Sequence, residues 1–179
     1  MKSGAPPSNL MITVRAETPS DRDAVRLVNE GAFGSAAEAD LVDALREGAR
    51  PHVSLVAEEG GRVVGHIFFS PVVIESAAGA SEAFALGPMG VLPEFQKRGV
   101  GSGLIRSGLE ACRRLGQEVV FVLGHPQYYP RFGFRPAAAK GLRCEYPVPD
   151  EVFMVLELRE GALAGRTGLV KYRPEFGSV

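Results

Sequence analysis

Gln96-Lys97-Arg98-Gly99-Val100-Gly101-Ser102-Gly103 sets two cations and three alternate glycines in front of an amphipathic run, an arrangement suited to holding an anion. The first backbone N–H groups of a helix have no partner one turn back, and the aligned peptide dipoles add partial positive charge there, so a phosphate can dock on bare amides. Gly99, Gly101 and Gly103 present no Cβ to such a ligand, and Lys97 and Arg98 add charge at the rim. The spacing excludes two common phosphate loops. A dinucleotide G-x-G-x-x-G fails because Leu104 follows Gly103, and a P-loop fails because no Gly-Lys-Ser or Gly-Lys-Thr follows. Further along, Leu123-Gly124-His125-Pro126-Gln127-Tyr128-Tyr129 places an imidazole and two phenols together, groups able to accept or donate protons.

The elements that must position these residues are legible from periodicity. Leu104, Ile105, Leu109, Cys112 and Leu115 fall at helical spacing, with Arg113 and Arg114 in the last turn and Gly116 beyond, so a helix over 101–115 should open at the glycines. A strand over 84–92 precedes it, broken by Gly87-Pro88, where a bulge is expected. The run 118–123 is continuous and β-branched, the pattern of a strand buried on both faces, and 126–132 suits one short helix. Upstream, 11–16 alternates as a strand. Thr18-Pro19-Ser20-Asp21 and Ser35-Ala36-Ala37-Glu38 then carry helix-start signals for helices through about 29 and to Gly48. The runs 53–58 and 62–70, joined by Glu59-Gly60-Gly61, suit an antiparallel hairpin that continues past Pro71 through 75, with 77–81 as a loop. Late strands are expected at 134–135 and 152–158 across a proline-rich loop. The order is β-α-α-β-β-β-α-β-α-β-β, an α/β (α+β) pattern with a mixed, mostly antiparallel sheet flanked by helices.

Composition narrows the class. The 179 residues carry 20 Lys+Arg against 21 Asp+Glu, for a net charge of −1, and 45% are hydrophobic, the balance of one soluble globular domain. With a sequence pI near 6.3 there is no overall basic field, which argues against nucleic acid or an anionic membrane as partner. Cys112 and Cys144 lack metal-ligand spacing and read as reduced thiols, so no metal is expected and the chain is expected to be cytoplasmic. Residues 1–9 read as a mobile leader and 10–179 as one domain.

Two motifs together resemble the GCN5-related N-acetyltransferase (GNAT) superfamily. Gln96-Lys97-Arg98-Gly99-Val100-Gly101 matches its Q-x-x-G-x-G, and Tyr129-Pro130-Arg131-Phe132-Gly133-Phe134 looks like its Y-x-x-[LF]-G-F, in the family's order and separation. The runs 64–71, 123–129 and 172–176 are similar to the bacterial YhbS-like subgroup, so the resemblance spans about 11–176. It implies that 96–103 cradle the pyrophosphate of acetyl-CoA, and that strands four and five splay so that the pantetheine arm bonds the strand-four backbone at Met89, Gly90 and Val91. Phe132 falls in the second motif and joins the same cofactor site. It also implies direct attack by an acceptor amine, with Tyr129 protonating the departing thiolate and Tyr128 as the fallback. A phenol of ordinary pKa near ~10 is protonated at neutral pH and so is able to donate.

The general base is left open among His125, Glu30 and Glu38, because 84–90 contains no acid. His66 inside a strand reads as structural, His52 after Pro51 as solvated, and Cys112 on an apolar helix face as inert. The acceptor pocket is expected from 33–45, the strand-three-to-four loop and the C-terminal strands; the acceptor itself is an unidentified small molecule or peptide amine. Two rivals stand beside this reading: a non-catalytic acyl-CoA-binding module, and a transferase using a longer acyl donor. A homodimer is left open.

Overall fold

The computed structural model describes residues 11–178, so the expected leader lies outside the described residues. Alternation makes β1 (Ile12–Ala16), and a 3-10 turn at Pro19–Asp21 leads into α1 (Arg22–Phe33). The Asp21 carboxylate fixes this junction: it accepts the Thr18 N–H at 2.7 Å and the Arg15 guanidinium at 2.7 Å. α1 runs a turn beyond the expected 29 and stops where Gly34 takes the left-handed conformation, φ 75°. α2 (Ala37–Gly48) follows at the expected place.

β2 (Val53–Glu59), β3 (Arg62–Ser76) and β4 (Gly79–Val91) form an antiparallel meander beside β1. The expected loop at 77–81 is corrected here. β3 and β4 stay paired to Ser76↔Gly79, so only two residues turn the chain, and the Ser76 hydroxyl donates to the Gly79 carbonyl at 2.9 Å. Small polar residues look like loop in sequence, yet they extend a ladder already set by apolar neighbours. α3 (Val100–Arg114) leads to β5 (Val119–Leu123), which lies parallel to β4. The short helix expected at 126–132 shrinks to one 3-10 turn at Tyr129–Phe132, ended by Gly133 at φ 99°.

β6 (Arg135–Pro136), β7 (Leu142–Cys144), β8 (Phe153–Glu157) and β9 (Gly168–Lys171) complete a nine-stranded sheet ordered β1-β2-β3-β4-β5-β8-β6, with β9 joined to β3 and β7 to β9. β7 and β9 escaped the sequence reading because they are too short to show a period. Their place follows from length: β2 pairs β3 only as far as Val53↔Phe69, so Val73–Glu75 project beyond it and offer an edge that β9 takes.

Successive residues of β3 serve opposite layers. Phe69 packs under α3 with Leu104 and Ile105, while Phe68 packs under α1 and α2 with Val25 and Leu45. Gly108 lets α3 approach, since a Cβ there would lie 2.3 Å from the Phe69 ring. His66 is wholly buried beneath α1, as expected of a structural imidazole. Asn29 Nδ2 donates to its Nδ1 at 3.3 Å, leaving Nε2–H for Ser54 Oγ at 2.8 Å, and Ser54 in turn donates to Glu17, which pairs with Arg46. Burial, with the Arg46 charge, pulls the imidazole down to about 3, so it is neutral. His52 is not solvated as expected: half-buried, it stacks on Phe68 at 4.9 Å and its Nδ1 meets the Ala49 carbonyl at 2.8 Å.

Candidate active site

β4 and β5 separate where the bulge was expected. Their parallel pairing covers Phe84↔Val120, Ala85↔Phe121 and Leu86↔Val122 and then ends. On the other edge the register steps from Phe69↔Leu86 to Ile67↔Met89, so Gly87 and Pro88 oppose Phe68 alone. The extra residue bends β4 away from β5 and opens a cleft of about 1260 Å³.

The antiparallel rhythm decides which backbone groups face that cleft. Leu92 N–H bonds the Val64 carbonyl at 2.9 Å, so two residues back Gly90 also gives its groups to β3, opposite His66. Met89 and Val91 therefore turn theirs toward the splay. Gln96 lines the cleft, and its side-chain amide donates to the Val91 carbonyl at 3.1 Å, which ties the glycine loop to β4. Gly90 has a separate reason to be glycine. A Cβ there would meet Ala32 Cβ at 3.1 Å and Phe33 Cε2 at 3.5 Å, so only a bare backbone lets α1 lie against β4 and bring Phe33 to the cleft.

Gly99 caps α3 with φ 83°, and the N–H groups of Val100, Gly101 and Ser102 face forward without a partner one helical turn back. Gly103 N–H is already bonded to Gly99 O at 3.0 Å, and Gly103 faces Val14, outside the cleft. Lys97 lines the cleft from a left-handed backbone, φ 60°, unusual for a residue with a Cβ. Arg98 turns away: it pairs with Glu59 at 2.7 Å and lies over the Phe95 ring. Glu94 is on the outside with Arg62, at 3.3 Å.

The two tyrosines point to different places. Tyr128 sends its hydroxyl to the start of α3, 3.5 Å from Ser102 Oγ and 3.0 Å from where a Gly101 Cβ would be, and Arg131 lies over its ring at 4.8 Å. Tyr129 is buried, edge-on to Tyr128 and Phe134, with its ring so close over Gly124 that a Cβ there would sit 2.2 Å away. Burial pushes its phenol well above the usual tyrosine range, with the neighbouring Tyr128 adding to it, so the hydroxyl stays protonated. Tyr129 lines the cleft, and its hydroxyl makes no hydrogen bond with any described residue. Phe132 is outside the lining, under the Arg106 guanidinium at 5.3 Å. His125 and Glu38 line the cleft; Glu30 does not, and is paired with Arg26 at 3.0 Å. Cys112 is buried under α3 with its thiol pushed up to about 12, chemically quiet.

The far end of the cleft holds residues that the sequence reading did not single out as lining. Tyr146, Val148, Tyr172 and Phe176 come from the C-terminal segments and line the cleft together with Phe33 and Leu41 of the helical side. Tyr172 and Phe176 lie in the run 172–176 noted for its resemblance, which was the one available signal; Tyr146 and Val148 sit in a proline-rich loop with none. Among the described residues no cluster of His, Cys, Asp and Glu could hold a metal ion, and no helix is long and apolar enough to cross a membrane.

Comparison with known proteins agrees with this geometry. Residues 13–137 match the acetyltransferase (GNAT) domain family. The chain is 46% identical to the N-acetyltransferase YjhQ of Escherichia coli over 135 residues, covering 74% of this chain and 75% of that one. A crystal structure of the GNAT family N-acetyltransferase YhbS from Escherichia coli in complex with CoA superposes with a TM-score of 0.88 at 34% identity, covering 97% of this chain and 96% of the other. A Brucella melitensis GNAT family acetyltransferase in complex with acetyl-CoA gives 0.76 at 36% identity, over 94% and 99%. From the matched residues, these identities and the shared fold, the chain belongs to the GNAT family of N-acetyltransferases and is an acyltransferase.

Proposed function

We propose that this chain binds acetyl-CoA along the splay between β4 and β5 and transfers the acetyl group to a primary amine by direct attack. The open edge of β4 after Leu86, ending at the bare N-terminus of α3, carries the reading. The N–H groups of Val100, Gly101 and Ser102 receive the pyrophosphate, with Lys97 beside them, and Met89 and Val91 offer backbone groups to the pantetheine arm. Binding of CoA and acetyl-CoA by the Escherichia coli and Brucella melitensis relatives supports this assignment.

Chemistry then falls to few side chains. The substrate ammonium first gives one proton through Glu38 or His125 to water; the neutral amine nitrogen then bonds the thioester carbonyl carbon as the carbon–sulfur bond breaks, and its second proton leaves to solvent as the amide forms. Tyr129 donates its proton to the departing sulfur and recovers one from solvent. Its hydroxyl, without a hydrogen-bond partner among the described residues, suits that role better than that of Tyr128, which is turned to α3.

A thermal-shift titration tests the cofactor site. Acetyl-CoA at ~100 times its dissociation constant should stabilise the native chain by roughly 2.7 kcal/mol. Gly101→Glu, which puts a carboxylate where phosphate must lie, should melt near the native temperature and show no shift. A native chain that melts cooperatively yet ignores acetyl-CoA would refute the proposal.

A further inference from the structure

The end of the cleft away from α3 has its own chemistry. Phe33, Tyr146, Tyr172 and Phe176 wall it with rings from segments far apart in sequence, and the Tyr172 ring lies 5.6 Å from Tyr146 and 5.1 Å from Phe176. Among the described residues lining the cleft, the charged side chains are Lys97, Arg131 and Glu38. Both cations stand at the α3 end, Lys97 in the glycine loop and Arg131 over Tyr128. The carboxylate stands alone on α2.

Glu38 is unlike its acidic neighbours. Glu30, Asp40 and Asp43 are each ion-paired with Arg26, and Glu17 and Asp43 with Arg46. Glu38 forms no ion pair with a described residue; the Ser35 hydroxyl donates to its Oε2 at 3.2 Å and holds the carboxylate without cancelling its charge. A half-buried anion beside ring faces attracts one cation, and the ring faces add to that attraction.

We infer that the acceptor is an amine bearing a single ammonium group on an aromatic or branched apolar body, with the ammonium on Glu38 and the body against Phe33, Tyr146, Tyr172 and Phe176. The inference rests on the acetyl-transfer reading and names its substrate class. A polyamine or aminoglycoside would bury extra ammonium groups against rings with no further carboxylate to meet them. A free amino acid would bring a carboxylate that finds no cation at this end.

The test uses the full chain with saturating acetyl-CoA and reads released CoA thiol with 2-phenylethylamine, phenylalanine, spermidine and kanamycin as acceptors. We expect kcat/KM for 2-phenylethylamine to exceed each of the others by about tenfold or more, one unpaired charge being worth at least that factor. Glu38→Gln should raise the KM for this amine about tenfold or more while leaving the acetyl-CoA melting shift and the KM for acetyl-CoA as in the native chain, and Glu38→Asp should recover part of the loss. Preference for spermidine, kanamycin or phenylalanine, no turnover of any of the four by a chain that acetyl-CoA stabilises, or a Glu38→Gln variant with unchanged amine KM would each overturn the inference. Absence of both melting shift and turnover would instead bring down the acetyl-transfer reading beneath it.

Discussion

The two ends of the cleft are built from different material. On the proposed reading the α3 end offers its ligand backbone groups: the N–H groups of Val100, Gly101 and Ser102 and the splay-facing groups of Met89 and Val91, with Gln96 fastening the loop. At the other end they are side chains, the rings of Phe33, Tyr146, Tyr172 and Phe176 with the Glu38 carboxylate. A backbone site needs residues that stay out of the way, so it is written as glycines at fixed spacing. A side-chain site needs only shape and one charge, which many residues at scattered positions can supply. One cleft thus joins a shared cofactor end to an end free to suit its own acceptor.

Substitutions should separate the two ends. Gly101→Glu at one end should remove acetyl-CoA binding outright, whereas Glu38→Gln at the other should spare it and act on the amine. Between them stands Tyr129, proposed to serve the reaction and neither ligand. Tyr129→Phe should lower kcat by about 10² or more with both KM values within a fewfold of native, measured by CoA release; the factor is that of one general acid. Tyr128→Phe should cost far less, because its hydroxyl faces Ser102. If Tyr128→Phe were the crippled variant instead, the two phenols would exchange roles and the acid would belong to the α3 end.

The smallest effect concerns the floor that both ends share. His66 pairs across the ladder with Gly90 and is neutral when folded, with its pKa pulled down to about 3 against an unfolded value of about 6.5. Between those values the unfolded chain binds a proton that the folded chain refuses, so this contribution to stability is complete above about pH 6.5 and declines as pH falls, by at most ~1.4 kcal/mol per unit. Asp21, held below the carboxylate range by Arg15, acts in the same direction only at lower pH. Melting temperature should therefore drop between pH 7 and pH 5 in the native chain and drop less in His66→Gln. Equal slopes would show that another group sets the acid limit.

Much of this was legible in sequence, for reasons that differ by region. α3 and β5 announced themselves by period and by β-branched continuity, and the Gly87-Pro88 break lies where β4 leaves β5. The Gln96–Ser102 loop was legible because few residue types tolerate its geometry. Arg98 and Phe132 lie in the motifs and Gly103 just beyond the first, yet they face Glu59, Arg106 and Val14 respectively, since a motif marks a segment and the local backbone decides which side each residue takes. β7 and β9 were hidden by their length and by the dependence of β9 on the projecting end of β3, a long-range fact. The acceptor end was legible only as regions, 33–45 and the C-terminal strands; that Phe33, Glu38, Tyr146, Tyr172 and Phe176 line one cleft is a fact of the folded chain.

The most direct test of the account is a crystal structure of the chain with acetyl-CoA. The account expects the pyrophosphate against the N–H groups of Val100, Gly101 and Ser102, pantetheine amides bonded to Met89 and Val91, and the sulfur near the Tyr129 hydroxyl, with the thioester facing the ring-walled end. A pyrophosphate bound away from the α3 N-terminus, or a β4 edge that closes on β5 beyond Leu86 with the ligand elsewhere, would contradict it.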